Sequence, residues 1–204
     1  MKSNSLELQK LIVTRDGADL TAPIDLRLES GQMLVVRGAN GSGKSTFIKM
    51  ISGLLPVEKG ALKLHYGDGA EYRPLYLGHR LGLTPGMTVR DNVAFWGHAA
   101  GYPELIAVAM HYFDLEDIAN ARLSTLSAGW KQRVALTRLI TMPSPLWLLD
   151  EPSANLDVEG MTLLQSLLES RIAQGGMVVI STHGDIQGPA VKSIDLNNIK
   201  QQNK

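Results

Sequence analysis

The chain has 204 residues, 44% of them hydrophobic, enough for one sizeable core and for a single domain with room for a subdomain. Twenty basic residues balance twenty acidic ones, which argues against a wholesale nucleic-acid surface or a polybasic membrane surface. With no cysteine, a disulfide partner, a cysteine-based zinc site and a thiol nucleophile are all excluded.

In chain order, "MKSNSLELQKLIVTRDG" is interrupted by Glu7, Gln9, Lys10 and Arg15 and lacks the apolar core of a signal peptide. Inside it "LELQKLIVT" alternates apolar and polar residues, and "IDLRLESG" does the same further on. Both predict half-buried antiparallel strands. "QMLVVR" is instead a near-continuous apolar run, as are "LWLLD" and "MVVIST" later, and such strands belong to a sheet covered on both faces.

Helical patterns lie between the strands. Phe47, Ile48 and Ile51 share a face that Gly53 can terminate. From about Thr88 to Arg122 the pattern is helical with no convincing strand. After "LSAG", Ala135 with Leu139 and Leu136 with Ile140 form i,i+4 pairs. Met161, Leu164, Leu168 and Ile172 follow helical spacing between the N-cap candidate Asp157 and the stop at Gly175-Gly176. Past His183 the chain reads as a polar tail. No run approaches the roughly 18 apolar residues of a membrane span. The longest candidate is broken by Arg138, Pro143 and Pro145. Strand–helix alternation with buried strands predicts an α/β fold. Its core would take about 1–78 and 137–204, with a helical subdomain over about 79–136.

"GANGSGKST", Gly38 to Thr46, is the strongest chemical signal, because it follows a predicted buried strand and opens a predicted helix. Gly38, Gly41 and Gly43 let successive N–H groups turn inward, making an anion cradle with the helix N-terminus. Lys44 would reach the β- and γ-phosphates, and Ser45 would put its hydroxyl on Mg²⁺. "LWLLDEP" supplies an acidic pair at a strand end, where ligands bind in open α/β sheets. Asp150 would hold Mg²⁺, and Glu151 would polarise the attacking water. His183 also follows a buried strand. A lone histidine is more often a structural hydrogen-bonder, but here three strand ends could converge on one γ-phosphate.

These elements in this order, with "LSAG", resemble the nucleotide-binding domain of ATP-binding cassette (ABC) proteins over essentially the whole chain. The fold so implied is a P-loop NTPase of the ABC type, with a mainly parallel core sheet, an antiparallel β subdomain and an inserted helical subdomain. "GANGSGKST" resembles the family's phosphate loop throughout, including Ala39, Asn40, Ser42 and Thr46. "LWLLDE" resembles its second nucleotide motif with the catalytic glutamate at Glu151. "SANLD", ending at Asp157, resembles the D-loop, and His183 the switch histidine. "LSAGW" resembles the signature, usually LSGGQ, at Leu126, Ser127 and Gly129, with Ala128 replacing a glycine and Trp130 a glutamine.

The resemblance implies a homodimer in which Ser127, Ala128 and Gly129 of one copy close on ATP held by the other. It also implies an integral-membrane transporter subunit as partner, on the cytoplasmic face of the bacterial inner membrane. His79 takes the place of the family's Mg²⁺-contacting glutamine, and Arg15 stands where an adenine-stacking aromatic is usual. "YLGH" and the alanine in the signature look most like the haem-export branch that serves cytochrome c maturation. An ABC transporter of another substrate, a non-transport regulatory or assembly ABC ATPase, and a P-loop kinase are the alternatives. "VAFWGHAAGY" offers Phe95, Trp96 and Tyr102 either as docking surface or, the commoner use of such rings, as subdomain core.

Overall fold

The computed structural model describes residues 4–67, 69, 72–182 and 191–199. In chain order the elements are β1 (Ser5–Leu11), β2 (Thr14–Arg15), β3 (Ala18–Asp19), β4 (Ile24–Glu29), β5 (Met33–Arg37) and α1 (Lys44–Ile51). Next come β6 (Ala61–His65), β7 (Leu75–Leu77), α2 (Val89–Ala100), α3 (Leu105–Tyr112) and a 3₁₀ turn over Leu123–Thr125. The last are α4 (Ala128–Leu136), α5 (Arg138–Thr141), β8 (Leu146–Asp150), α6 (Val158–Ala173), β9 (Met177–Ser181) and β10 (Val191–Asp195). The chain divides into two compact units, residues 1–76, 144–151 and 170–204 in one, 77–143 and 152–169 in the other.

The first unit holds the sheets. Five strands run in the order β10-β5-β9-β8-β7, and the pairs β10·β5, β5·β9 and β9·β8 are parallel. The alternating segments form the antiparallel sheet β4-β1-β6. Strand β1 bulges by one residue between Leu8 and Leu11, where Lys10 turns to φ 47° and its N–H takes Asp25 Oδ1 at 2.9 Å.

One core joins these layers. Leu34 and Val36 of β5, Leu146 and Leu148 of β8, and Met177 and Val179 of β9 lie under Phe47, Ile48 and Ile51 of α1 and against Leu6, Leu8 and Leu28 of the antiparallel sheet. The alternate residues Val35, Leu149, Val178 and Ile180 are also buried, so the continuous apolar runs serve strands covered on both faces. Parallel register puts the ends of β5, β9 and β8 side by side: Val36 opposite Ser181, and Ser181 opposite Asp150.

The predicted polar tail after His183 contains a strand: β10 pairs with β5, anchored by Ile194, and Leu196 beyond it is fully buried. Its sequence "VKSID" hid this because an edge strand needs few apolar positions. His183 itself lies outside the described residues.

The second unit is helical. Thr88 caps α2 through a reciprocal bond pair with Asp91, and Gly101 ends it at φ 82°. The predicted single helix after "LSAG" is two. At Thr137 the hydroxyl donates to Val134 O at 2.6 Å, a side-chain bond that tightens the backbone and separates α4 from α5. In α6, Leu164 and Leu168 are buried as the spacing predicts, whereas Met161 is exposed. Trp96 is half-buried under the Arg138 guanidinium, while Phe95 and Tyr102 are exposed. No helix among the described residues is long and apolar enough to cross a membrane.

Candidate nucleotide site

The loop from Gly38 to Gly43 leaves the end of β5 and enters α1. Gly38 has φ 147°, a conformation other residues rarely adopt, and a Cβ there would crowd the Ser42 side chain, 3.1 Å from its Cβ. Gly43 stands at the helix N-cap with φ 103° and no side-chain cap, which leaves the first helical N–H groups for an anion. A Cβ on Gly43 would lie about 3.1–3.2 Å from Leu20 and Val13. Those residues flank the β2–β3 hairpin, which therefore packs on the loop and carries the exposed Arg15. From the other side, Asn197 Oδ1 accepts from the Ala39 N–H at 3.2 Å, a support from the tail.

Lys44 is buried, and its ammonium donates to Gly38 O at 2.8 Å and Ala39 O at 3.3 Å. Its Nζ stands 3.9 Å from Glu151 Oε1. The lysine thus meets the second residue of the acidic pair, at the sheet edge where the parallel strands β5 and β8 end. Ser45 and Thr46 open α1 directly behind the loop. Ala39, Asn40 and Gly41 are exposed and Ser42 is buried.

Asp150 is buried at the end of β8. Its Oδ1 accepts from Ser181 Oγ at 2.7 Å, whereas Oδ2 is buried with no hydrogen-bond partner among the described residues. A buried carboxylate oxygen of that kind suits a hard divalent cation or one of its waters, so the donor set fits Mg²⁺. Glu151 follows in the left-handed region at φ 52°, its N–H bonded to Ser181 Oγ at 3.0 Å and to Ser181 O at 3.1 Å. Tyr76 of β7 lies within reach of the Asp150 charge. Burial, and then the Asp150 charge, push its phenol up to about 12, so it stays neutral. Sequence reasoning singled out neither Ser181 nor Tyr76. For Ser181 a signal existed, a hydroxyl closing a run of buried apolar residues.

The signature belongs to the second unit. Ser127 and Ala128 are exposed at the tip of α4, and Ser127 Oγ caps the helix by accepting from the Trp130 N–H at 3.3 Å. Ala128 has no positive φ, so a glycine is not required there. A Cβ on Gly129 would lie 2.8 Å from Asn155 O. Gln132 donates to Pro152 O at 2.8 Å. Arg133 is buried and pairs with Asp157 at 2.7 Å and Glu159 at 2.9 Å, with Asp114 at 3.9 Å. The ring of Trp130 covers that guanidinium, 4.9 Å from its centre. The Arg133 bond, more than any other contact, holds the Asp157 carboxyl below the usual carboxylate range. Asp157 also caps α6 through the Gly160 N–H. His79 is exposed in the loop after β7.

Residues 21–154 match the ABC transporter family. The chain is 36% identical to the cytochrome c biogenesis ATP-binding export protein CcmA of Paracoccus denitrificans, over 95% of this chain and 89% of that protein. The protein of the same name from Paramagnetospirillum magneticum is 36% identical over 97% of this chain and 96% of its own length. The one from Xanthomonas campestris is 34% identical over 92% and 91%. Among solved structures, an ABC transporter ATP-binding protein from Pyrococcus furiosus superposes with a TM-score of 0.83 at 24% identity, covering 97% of this chain and all of that one, a likeness of fold. A further ATP-binding subunit of an ABC transporter gives a TM-score of 0.73 at 26% identity, over 87% of this chain and 79% of that one. A phosphate loop alone is shared by many NTPases. Joined to the acidic pair, the capped signature helix and likeness along nearly the whole chain, it shows that the protein belongs to the ABC transporter family.

Proposed function

We propose that the chain is the ATP-hydrolysing subunit of an export system for cytochrome c biogenesis, working as a homodimer beneath an integral-membrane partner. The observation that carries the hydrolytic part is the approach of Glu151 to Lys44 of the phosphate loop, with Asp150 next to it at the same sheet edge. The cytochrome c part rests on relatives that bear that name and match almost end to end. Haem is the cargo we assign to the system, and the cytoplasmic face of the inner membrane its place.

Loop N–H groups and Lys44 hold the triphosphate. Lys44 exchanges its two loop carbonyls for phosphate oxygens. Ser45 and Asp150 would hold Mg²⁺. Bound there, the ion would neutralise charge growing on the β- and γ-phosphate oxygens. Glu151 accepts the proton of the attacking water, and His183 donates to the γ-phosphate. Arg15, on the hairpin packed against Gly43, stacks its guanidinium on adenine. Ser127, Ala128 and Gly129 of the second copy complete each site, and the loop ending at Asp157 lies at that junction. Haem enters no chemical step of this subunit.

Disrupting the gene tests the whole proposal. Haem-stained c-type cytochromes are expected to disappear, to return with the wild-type gene and to stay absent with Glu151→Gln. Undiminished cytochromes in the disrupted strain would remove the biogenesis role.

A further inference from the structure

We infer that Ser181 is a positioning residue for hydrolysis: its hydroxyl decides which oxygen of Asp150 faces the metal and fixes the bend that carries Glu151. The inference rests on the ATP-hydrolysis reading above and adds to it a residue that does not touch the substrate.

Ser181 ends β9, between the strand that leads into the phosphate loop and the strand that ends in the acidic pair. It is fully buried, with Val36 beside it on one strand and Asp150 on the other. Its single hydroxyl proton goes to Asp150 Oδ1, at 2.7 Å. Its oxygen remains an acceptor and takes the Glu151 N–H at 3.0 Å. The Ser181 carbonyl shares that N–H at 3.1 Å. One residue therefore holds both acids, the first by its side chain and the second by its backbone.

Both consequences are chemical. Committing Oδ1 removes the equivalence of the two carboxylate oxygens, and the buried Oδ2 alone is left to meet Mg²⁺ or its water. Glu151 sits at φ 52°, a left-handed conformation that is unfavourable for a non-glycine residue. A forked bond from its N–H offsets that cost and keeps the carboxylate near Lys44, 3.9 Å away. Without the hydroxyl, the Asp150 carboxylate is free to turn about its last bond, and the Glu151 bend keeps one acceptor of two.

The test uses the full chain with ATP, titrated with Mg²⁺, in wild type, Ser181→Ala, Ser181→Thr and Ser181→Val. Removing a hydrogen-bond partner of a metal-holding carboxylate costs about 10- to 100-fold in metal affinity or activity. Ser181→Ala is expected to need about tenfold more Mg²⁺ for half-maximal phosphate release and to lose about tenfold in kcat, with KM for ATP nearly unchanged. It is also expected to lose most of the rise in melting temperature that Mg²⁺ adds to ATP, while binding metal-free nucleotide like wild type. Threonine and valine share a shape and differ in the hydroxyl, so only threonine should recover the Mg²⁺ response. Equal Mg²⁺ responses in Ser181→Ala and wild type, or in Ser181→Thr and Ser181→Val, would overturn the inference. Glu151→Gln in the same assay separates the two levels: wild type no faster than Glu151→Gln means that the hydrolysis reading has failed, whatever Ser181 does.

Discussion

Arg133 shows at the scale of one residue why the signature helix sits where it does. Arg133, 2% exposed as a residue, is buried while pairing with two carboxylates that remain largely solvated. The half-buried Trp130 ring closes the remaining face. Replacing Arg133 by methionine keeps the bulk and removes both pairs, so the melting temperature should fall at neutral pH. The sign of the pH dependence follows from Asp157. Its carboxyl is depressed in the folded chain, so the stabilisation is present above the unfolded value of about 3.9 and is lost as pH falls through the lower folded value. Thermal melts of both proteins at pH 7 and at about pH 3 check this: the gap should narrow in acid, and a gap that widens would contradict the pairing.

Whether an element could be read from its residues depended on what its neighbours demanded. The buried strands and the phosphate loop were legible because a doubly covered strand must be apolar throughout and a loop folded over phosphate must be rich in glycine. Strand β10 was not, since an edge position tolerates Lys192 and Ser193. The break at Thr137 depends on one hydroxyl's choice of partner. Ser181 could be placed only once strand register put it opposite Asp150.

The signature helix has a comparable local constraint. Gly129 carries ordinary helical backbone, so its lack of a side chain serves close approach to Asn155 O. Gly129→Ala must push α4 off the 152–157 segment, and the expected cost is about 1–3 kcal/mol. Ala128→Gly, one residue earlier and exposed, should cost about 1 kcal/mol or less. Urea unfolding midpoints of the two variants decide the comparison, and equal midpoints would mean that the close approach carries no energy.

At the scale of the whole molecule, the exposed tip at Ser127 and Ala128 and the phosphate loop have like chemistry, each a helix N-terminus with donors suited to an anion, so one triphosphate could be clamped between them. In the proposed function they meet between copies. Ser127→Arg puts a long cation on that tip and should abolish phosphate release while leaving ATP affinity of the single chain within about twofold of wild type, less than 0.5 kcal/mol. A matching loss of affinity, read by titration with a fluorescent ATP analogue, would place Ser127 at its own chain's nucleotide instead. The two-copy closure has one direct measurement, the solution mass of Glu151→Gln by light scattering with and without saturating MgATP. The expected mass is that of one chain without nucleotide and of two with it. A mass that stays at one chain, with ATP demonstrably bound, would contradict it.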